Sequence, residues 1–292
     1  MRSKINLQGG AIIHNPIDYI IECMAMDQAG VEIQRIQTEH RLKLAEFWGI
    51  REGDRILEIG CGQGDTTAVL AYFAGESGFV HGVDTAPPHY GAPVTLGAAS
   101  ERLTQSPLGS RIQIDLETDI LSPLLDYEEN SFDIVVLSHC SWYFESAEQL
   151  EAVLQKARAW GRRLCFAEWD PRITHPEQYP HLLAVLVQAQ YEVFKKNSSS
   201  NVRTLFTPGQ IKGIAEQSGW SVRREKTFYS PQLQDGLWEV DMTLQSYQSE
   251  LSDIEKAPSK LVTLIQSEIY LLQEAKQTHG IKPLSTYALC AE

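Results

Sequence analysis

Hydrophobic and polar positions along this chain follow two rhythms. Val31, Ile33, Ile36, Leu42, Leu44, Phe47 and Trp48 recur at roughly helical spacing, and Gly49 supplies a C-terminal stop. A shorter helix is expected within residues 16–28, where Ile17, Tyr19, Ile20, Ile21 and Met24 meet few breakers. The rhythm then shortens. Asp54 to Ile59 reads as a strand, running straight into the glycine cluster Gly60, Gly62 and Gly64, and Asp65 to Ala74 as a helix. Further strands are expected over Gly78–Asp84, Arg111–Leu116, Phe132–Leu137 and Arg163–Ala167, with an amphipathic helix over Ala147–Trp160. Strands alternating with helices in this way imply a parallel sheet covered on both faces.

After Asp170 the pattern turns mostly helical, over Pro176–Lys196 and Trp238–Thr278. Between these stretches lie a helix near Pro208–Ser218 and a strand near Ser221–Tyr229, and a last strand follows at Ser285–Cys290. Because the sheet needs its late strands, the helical stretches read as insertions into one domain spanning residues 1–292. Residues 1–50 then form N-terminal helices and 51–170 the core. Residues 171–207 and 238–282 are caps, and 208–237 and 283–292 complete the core. The cap faces, with Leu183, Leu186 and Phe194 on one and Val240, Leu244 and Leu251 on the other, are too apolar for isolated solvent helices.

Composition narrows the possible roles. The 292 residues are 43% hydrophobic and 22% charged, enough to bury a core. Lys and Arg total 25 against 38 Asp and Glu, a net charge of -13, which disfavours a protein that holds nucleic acid through its phosphates or docks on anionic lipid. The five cysteines, Cys23, Cys61, Cys140, Cys165 and Cys290, are scattered with no C-x-x-C pair. No zinc cage or other metal site is therefore expected. Thinly spread thiols fit a reducing compartment. Residues 1–10 lack the apolar run of a signal peptide and no segment is long enough to span a bilayer, so a cytoplasmic location is expected.

The chemistry sits in Glu58-Ile59-Gly60-Cys61-Gly62-Gln63-Gly64-Asp65, between a strand and a helix. Glycines there let the chain turn sharply and let a ligand approach bare backbone. A dinucleotide site requires G-x-G-x-x-G, but the final glycine position is Asp65 and the third glycine comes one residue early. A carboxylate beside a pyrophosphate would repel it, which counts against a nucleotide-cofactor oxidoreductase. A ligand without phosphates and with a positive centre fits better. Here the sequence resembles the class I S-adenosylmethionine-dependent methyltransferases, whose E-x-G-x-G-x-G loop it matches residue for residue. The resemblance runs from about Arg51 to Asp170, with weaker echoes over Ser221–Tyr229 and Leu284–Leu289.

The resemblance implies an α/β, doubly wound, Rossmann-like, mainly parallel seven-stranded sheet with helical cap insertions and an antiparallel last strand. It implies S-adenosyl-L-methionine as cofactor, S-adenosyl-L-homocysteine as product, and a small-molecule acceptor. Cofactor contacts are implied at Glu58, Gly60, Cys61, Gly62 and Gly64 of the loop. Asp84 and Thr85 would serve the ribose, Asp119 and Ile120 the adenine, and Ser138 and His139 the methionine part. Two readings of Glu58 stand, ligand contact or pairing with a nearby donor, since a charge in an apolar strand needs one of them. Cys61 is given no reactivity.

Ligands of open parallel sheets bind beyond the carboxyl ends of the strands. Trp142 and Tyr143 after the fourth strand, and Trp169 after the fifth, are therefore candidate acceptor contacts, although Trp142 and Tyr143 also fit a reading in which they pack inward at the next helix. His139 is the first candidate for a general base, with Glu168 and Asp170 as rivals; a base is needed only if the acceptor must lose a proton. His139 also fits a role in holding the cofactor or its own loop. His89, His175, His181 and His279 read as surface residues. A non-catalytic cofactor-binding regulator is the remaining alternative, and a filled or closed acceptor pocket would mark it.

Overall fold

β1 (Arg55–Ile59) is central because four of its five side chains are buried, three of them apolar. It pairs in parallel with β2 (Phe79–Val83) on one side and β4 (Phe132–Ser138) on the other, Ile56 facing Val80 and Ile134. The structure, a computed structural model, describes residues 15–25, 30–195, 198, 200–254 and 257–292. Residues 1–10, 26–28 of the expected first helix, Lys196 and Ser199 lie outside the described residues.

β3 (Ile112–Asp115) extends the sheet beyond β2, and β5 (Gly161–Asp170) extends it beyond β4, both parallel. β7 (Ser285–Ala291) is antiparallel to β5 and to β6 (Val222–Phe228), giving seven strands in the order β3-β2-β1-β4-β5-β7-β6. The expected doubly wound, mainly parallel sheet and its antiparallel last strand are both present. β7 is buried throughout, whereas β6 is the edge and carries Arg223, Arg224, Glu225 and Lys226 outward, which blunts unwanted strand pairing. Two boundaries differ from the sequence reading. β5 runs on to Asp170 because Glu168, Trp169 and Asp170 pair with Tyr287, Thr286 and Ser285 of the last strand. A partner distant in sequence thus lengthens the strand beyond its apolar run.

The helices cover both faces. α1 (Pro16–Glu22) and α2 (Val31–Trp48) pack beside α3 (Asp65–Ala74), with Ile20, Leu44 and Trp48 in the core, and Gly49 ends α2 in the left-handed conformation. α4 (Leu96–Thr104) follows β2. On the opposite face α5 (Ala147–Trp160) and α7 (Pro208–Gln217) bury Leu150, Trp160 and Ile211. α6 (Tyr179–Glu192), α8 (Asp235–Asp253) and α9 (Ser259–His279) form a third cluster around Leu183, Val187, Val240 and Ile269. The expected long helix over Trp238–Thr278 is therefore two helices that fold back on α6. Their apolar faces bury one another and build a cap. No helix of the described residues is long and apolar enough to cross a membrane.

Candidate active site

The strand order reverses between β1 and β4, which opens a crevice at their carboxyl ends. The glycine loop forms one wall of it. Gly60 has φ +76°, and a Cβ there would lie 2.7 Å from Cys140 Cβ, so its missing side chain makes room for the loop after β4. Gly62 has φ +54° and nothing within 4 Å of an added Cβ. Its bare face looks into open space.

Asp84 follows β2 and anchors the loop: Gly62 N–H donates to its Oδ2 at 2.9 Å and Ala86 N–H to its Oδ1 at 2.8 Å. An ionised carboxylate has about four acceptor positions, so one remains on each oxygen for a ligand's adjacent hydroxyls. Glu58 is buried and takes the Thr67 hydroxyl at 2.5 Å on Oε2; burial pushes its carboxyl up to about 8. Of the two readings of Glu58, pairing with a nearby donor is thus present in the structure. Cys61 is buried, and burial holds its thiol far above the usual range, which keeps it inert. Asp119 uses Oδ1 to receive Leu121 N–H at 2.8 Å, and Ile120 is buried in the core. Thr85 follows Asp84 directly and is exposed. Open space before Gly62, a carboxylate with free lone pairs and a phosphate-repelling Asp65 fit a phosphate-free adenosine ligand.

The loop after β4 is built around two side chains. His139 sits at φ +54°, a strained position for histidine, secured by its N–H donating to Ala167 O at 2.8 Å. Glu168 Oε2 accepts both the backbone N–H and the hydroxyl of Ser141, each at 2.8 Å, and Oε1 accepts Trp169 N–H at 2.9 Å. Burial raises the Glu168 carboxyl to about 7. Glu168 therefore braces the turn Ser141–Tyr143, in which Trp142 is buried and Tyr143 is 37% exposed. One aromatic packs inward and the other faces outward, so each of the two readings of the pair holds for one member.

A cavity of about 200 Å³ lies between this loop and the cap. His139, Trp142, Tyr143, Glu168 and Trp169 all line it, so the structure brings these expected residues together. Asp170 does not line it; the Arg172 guanidinium holds that carboxylate through Nε at 2.9 Å and Nη2 at 2.8 Å. His181, expected on the surface, is fully buried on the cavity wall, where burial pushes its imidazole down to about 3. It was misplaced because its own neighbours along the chain do not reveal that α6 folds under the cap. His89, His175 and His279 are exposed as expected.

Sequence reasoning missed what α2 and α8 contribute: Gln37, His40 and Arg41 from the first, Asp235 and Glu239 from the second. The available signal was polar residues on the buried face of α2, at Gln37, Thr38 and His40. His40 also joins a buried chain of contacts. Ser138 Oγ meets His139 Nδ1 at 3.2 Å, His139 Nε2 meets Thr286 Oγ1 at 3.2 Å, Thr286 Oγ1 meets His40 Nε2 at 3.1 Å, and His40 Nδ1 meets Ser230 Oγ at 3.0 Å. Burial holds His139 well below its ordinary pKa and His40 down to about 3, so both rings are neutral at pH 7.

The family model described as a methyltransferase domain matches residues 56–163, the span that holds the glycine loop, Asp84 and His139. A solved structure from Lactobacillus casei ATCC 334, a cyclopropane-fatty-acyl-phospholipid synthase-like protein, is 36% identical with a TM-score of 0.83, covering 94% of this chain and 98% of that one. This chain belongs to the class I S-adenosylmethionine-dependent methyltransferases. Methyltransferase phomM' of Diaporthe leptostromiformis is 32% identical over 212 residues, 59% of this chain and 54% of that protein. The chain spans about half the length of the curated relatives it matches. A structure of Haemonchus contortus phosphoethanolamine N-methyltransferase 2 in complex with S-adenosyl-L-methionine, 16% identical with a TM-score of 0.50, covers 96% of this chain and 60% of that one and shares the methyltransferase fold.

Proposed function

We propose that this methyltransferase-family chain transfers a methyl group from S-adenosyl-L-methionine to a small or medium organic acceptor seated in the cavity under the cap. The observation that carries the reading is Gly62: its bare, unobstructed backbone lies beside Asp84, whose two oxygens each keep an acceptor position. When bound, the cofactor supplies an electrophilic methyl group on a sulfonium, open to in-line displacement by an acceptor atom. The chain's part is then mostly placement, which supplies most of the acceleration in such a displacement. Asp84, with Thr85 beside it, holds the ribose. Asp119 and Ile120 border the adenine, and Ser138 and His139 border the methionine part. Trp142, Tyr143 and Trp169 position the acceptor.

Among the three candidates for a base, His139 is neutral at pH 7 and able to accept a proton, Glu168 serves the loop, and Asp170 is engaged by Arg172. His139 is therefore the base in this reading wherever the acceptor must lose a proton. The cavity is open rather than filled, which supports an enzyme over a cofactor-binding regulator. A single domain carries the whole site. The buried free cysteines support a cytoplasmic location.

Calorimetric titration with S-adenosylhomocysteine tests the cofactor site. Saturable one-to-one binding is the expected result, and no heat at millimolar ligand overturns the reading. Transfer of labelled methyl to a panel of small organic acceptors then tests the activity.

A further inference from the structure

Asp235 and Glu239 stand four residues apart at the start of α8, on the helix face that lines the cavity. Neutral amides hold them: Gln37 Nε2 donates to Asp235 Oδ2 at 2.8 Å, and Gln188 Nε2 to Glu239 Oε2 at 2.7 Å. Such donors orient a carboxylate without cancelling its charge. Glu168 adds a third carboxyl to the wall, while Arg41 is the one Lys or Arg side chain lining it among the described residues. Arg41 is itself shared, with Asp65 Oδ2 at 3.7 Å and the Gln37 side-chain oxygen at 2.5 Å. The wall thus carries an excess of buried negative charge, which is costly unless a cation joins it.

A second observation, independent of the charges, also points to a ligand. Leu284 N–H donates to His181 Nδ1 at 2.9 Å, so the neutral ring carries its proton on Nε2. That Nε2–H has no partner among the described residues, and neither has the Nε1–H of Trp142. Both side chains are on the cavity wall and more than nine-tenths buried, at 0% and 3% exposure. Buried donors without acceptors are rare in folded proteins. These two call for an oxygen.

We propose that the acceptor taken by this cavity is a small amine that also carries an oxygen acceptor, its ammonium held by Asp235 and Glu239 and its oxygen met by His181 and Trp142. This substrate class rests on the methyltransferase reading above. The exposed ring of Tyr143 and the ring of Trp169 complete a wall suited to a cation, since aromatic faces attract positive charge. An ammonium held in this way has no lone pair, so the attacking atom lies elsewhere in the acceptor. The amine is the handle by which that atom is brought to the methyl group.

The test uses the full chain saturated with S-adenosylhomocysteine, and again without it, titrated with tyramine and with ω-amino alcohols from ethanolamine to 6-aminohexanol. The matching diols and ω-hydroxy acids serve as neutral and anionic controls, with binding read by calorimetry and tryptophan fluorescence. At least one amine should bind ten-fold or more tightly than its neutral and anionic counterparts. The near-isosteric Asp235→Asn and Glu239→Gln variants should each erode that preference, and the double variant should abolish it, with S-adenosylhomocysteine affinity unchanged. Trp142→Phe should weaken an amino alcohol more than the plain alkylamine of equal length. Equal or tighter binding of the diols or hydroxy acids, no binding by any amine, or a preference that survives the double variant would overturn the proposal. Loss of S-adenosylhomocysteine binding in the unaltered protein would instead overturn the cofactor reading, so the two failures are distinct.

Discussion

The carboxylate of Asp84 reaches from the end of β2 across to β1 and receives the backbone N–H of Gly62 at 2.9 Å. One side chain thereby fixes the loop that faces the ligand while keeping acceptor positions of its own. Replacing it acts on both roles. Asp84→Ala should weaken S-adenosylhomocysteine binding by about 1.5–3 kcal/mol, the scale of a charged hydrogen bond, with the far-ultraviolet dichroism unchanged. Calorimetry of the folded variant checks this, and an unaltered affinity would remove Asp84 from the site.

The two inner glycines of the loop should respond oppositely. Gly60→Ala drives a methyl to 2.7 Å from Cys140 Cβ, so stability should fall by about 1–3 kcal/mol from overpacking. Gly62→Ala meets no protein atom within 4 Å and carries only the backbone strain of φ +54°, about 1–2 kcal/mol. Its methyl occupies the ligand's space, and binding should drop at least ten-fold. Melting curves paired with titrations of both variants separate the two effects.

Stability should peak near neutral pH. His40 and His181 are held near 3 and His139 well below its ordinary value by burial, so between those values and about 6.5 the unfolded chain binds these protons and the folded chain does not. Stability from these three rings therefore rises with pH up to about 6.5 and is lost in acid. Glu58 and Glu168 work the other way. Their folded values, about 8 and about 7, lie above the ordinary 4.5, so the folded state holds the extra protons and stability falls as pH rises through that window. Three rings outweigh two carboxyls below about 6.5, and above it only the carboxyls act. Urea unfolding across pH 4.5–8.5 should show this maximum, and Glu58→Gln should flatten its alkaline side.

Thr286 should set opposite tautomers on the two histidines it joins. Its hydroxyl has one proton to share between His139 Nε2 at 3.2 Å and His40 Nε2 at 3.1 Å, so one ring receives it and the other donates. Nitrogen-15 spectra should show one Nε2–H and one Nδ1–H ring. Thr286→Ser should preserve the pair. Thr286→Val should abolish it and destabilise the protein by about 1–3 kcal/mol through the unpaired ring nitrogens. Identical tautomers in the unaltered protein would contradict the assignment.

Much of the cofactor half was legible because it is local. Glu58 to Asp65 form one strand-loop-helix unit, and Asp84 closes the strand that follows, so spacing along the chain gives spacing in space. The acceptor half was less legible. Trp142, Tyr143 and Glu168 stood out by following strands, but His181 looked like a surface residue, and Asp235 and Glu239 like the solvated start of a helix. Helical periodicity shows that α8 has an apolar face without showing what its polar face meets.

The sequence by itself determined the alternation of strands and helices, the loop that excludes a pyrophosphate and the carboxylate at the end of β2. Each depends on contacts between near neighbours or on backbone limits that glycine alone escapes. Only the tertiary structure decided the reach of β5 to Asp170, the burial of His181 and the joining of His40 to His139 through Thr286, residues 246 positions apart at the Thr286–His40 contact. Those outcomes depend on where β7 inserts and on how three cap helices bury their faces against one another. Burial then decides which polar groups lose water and must find another partner.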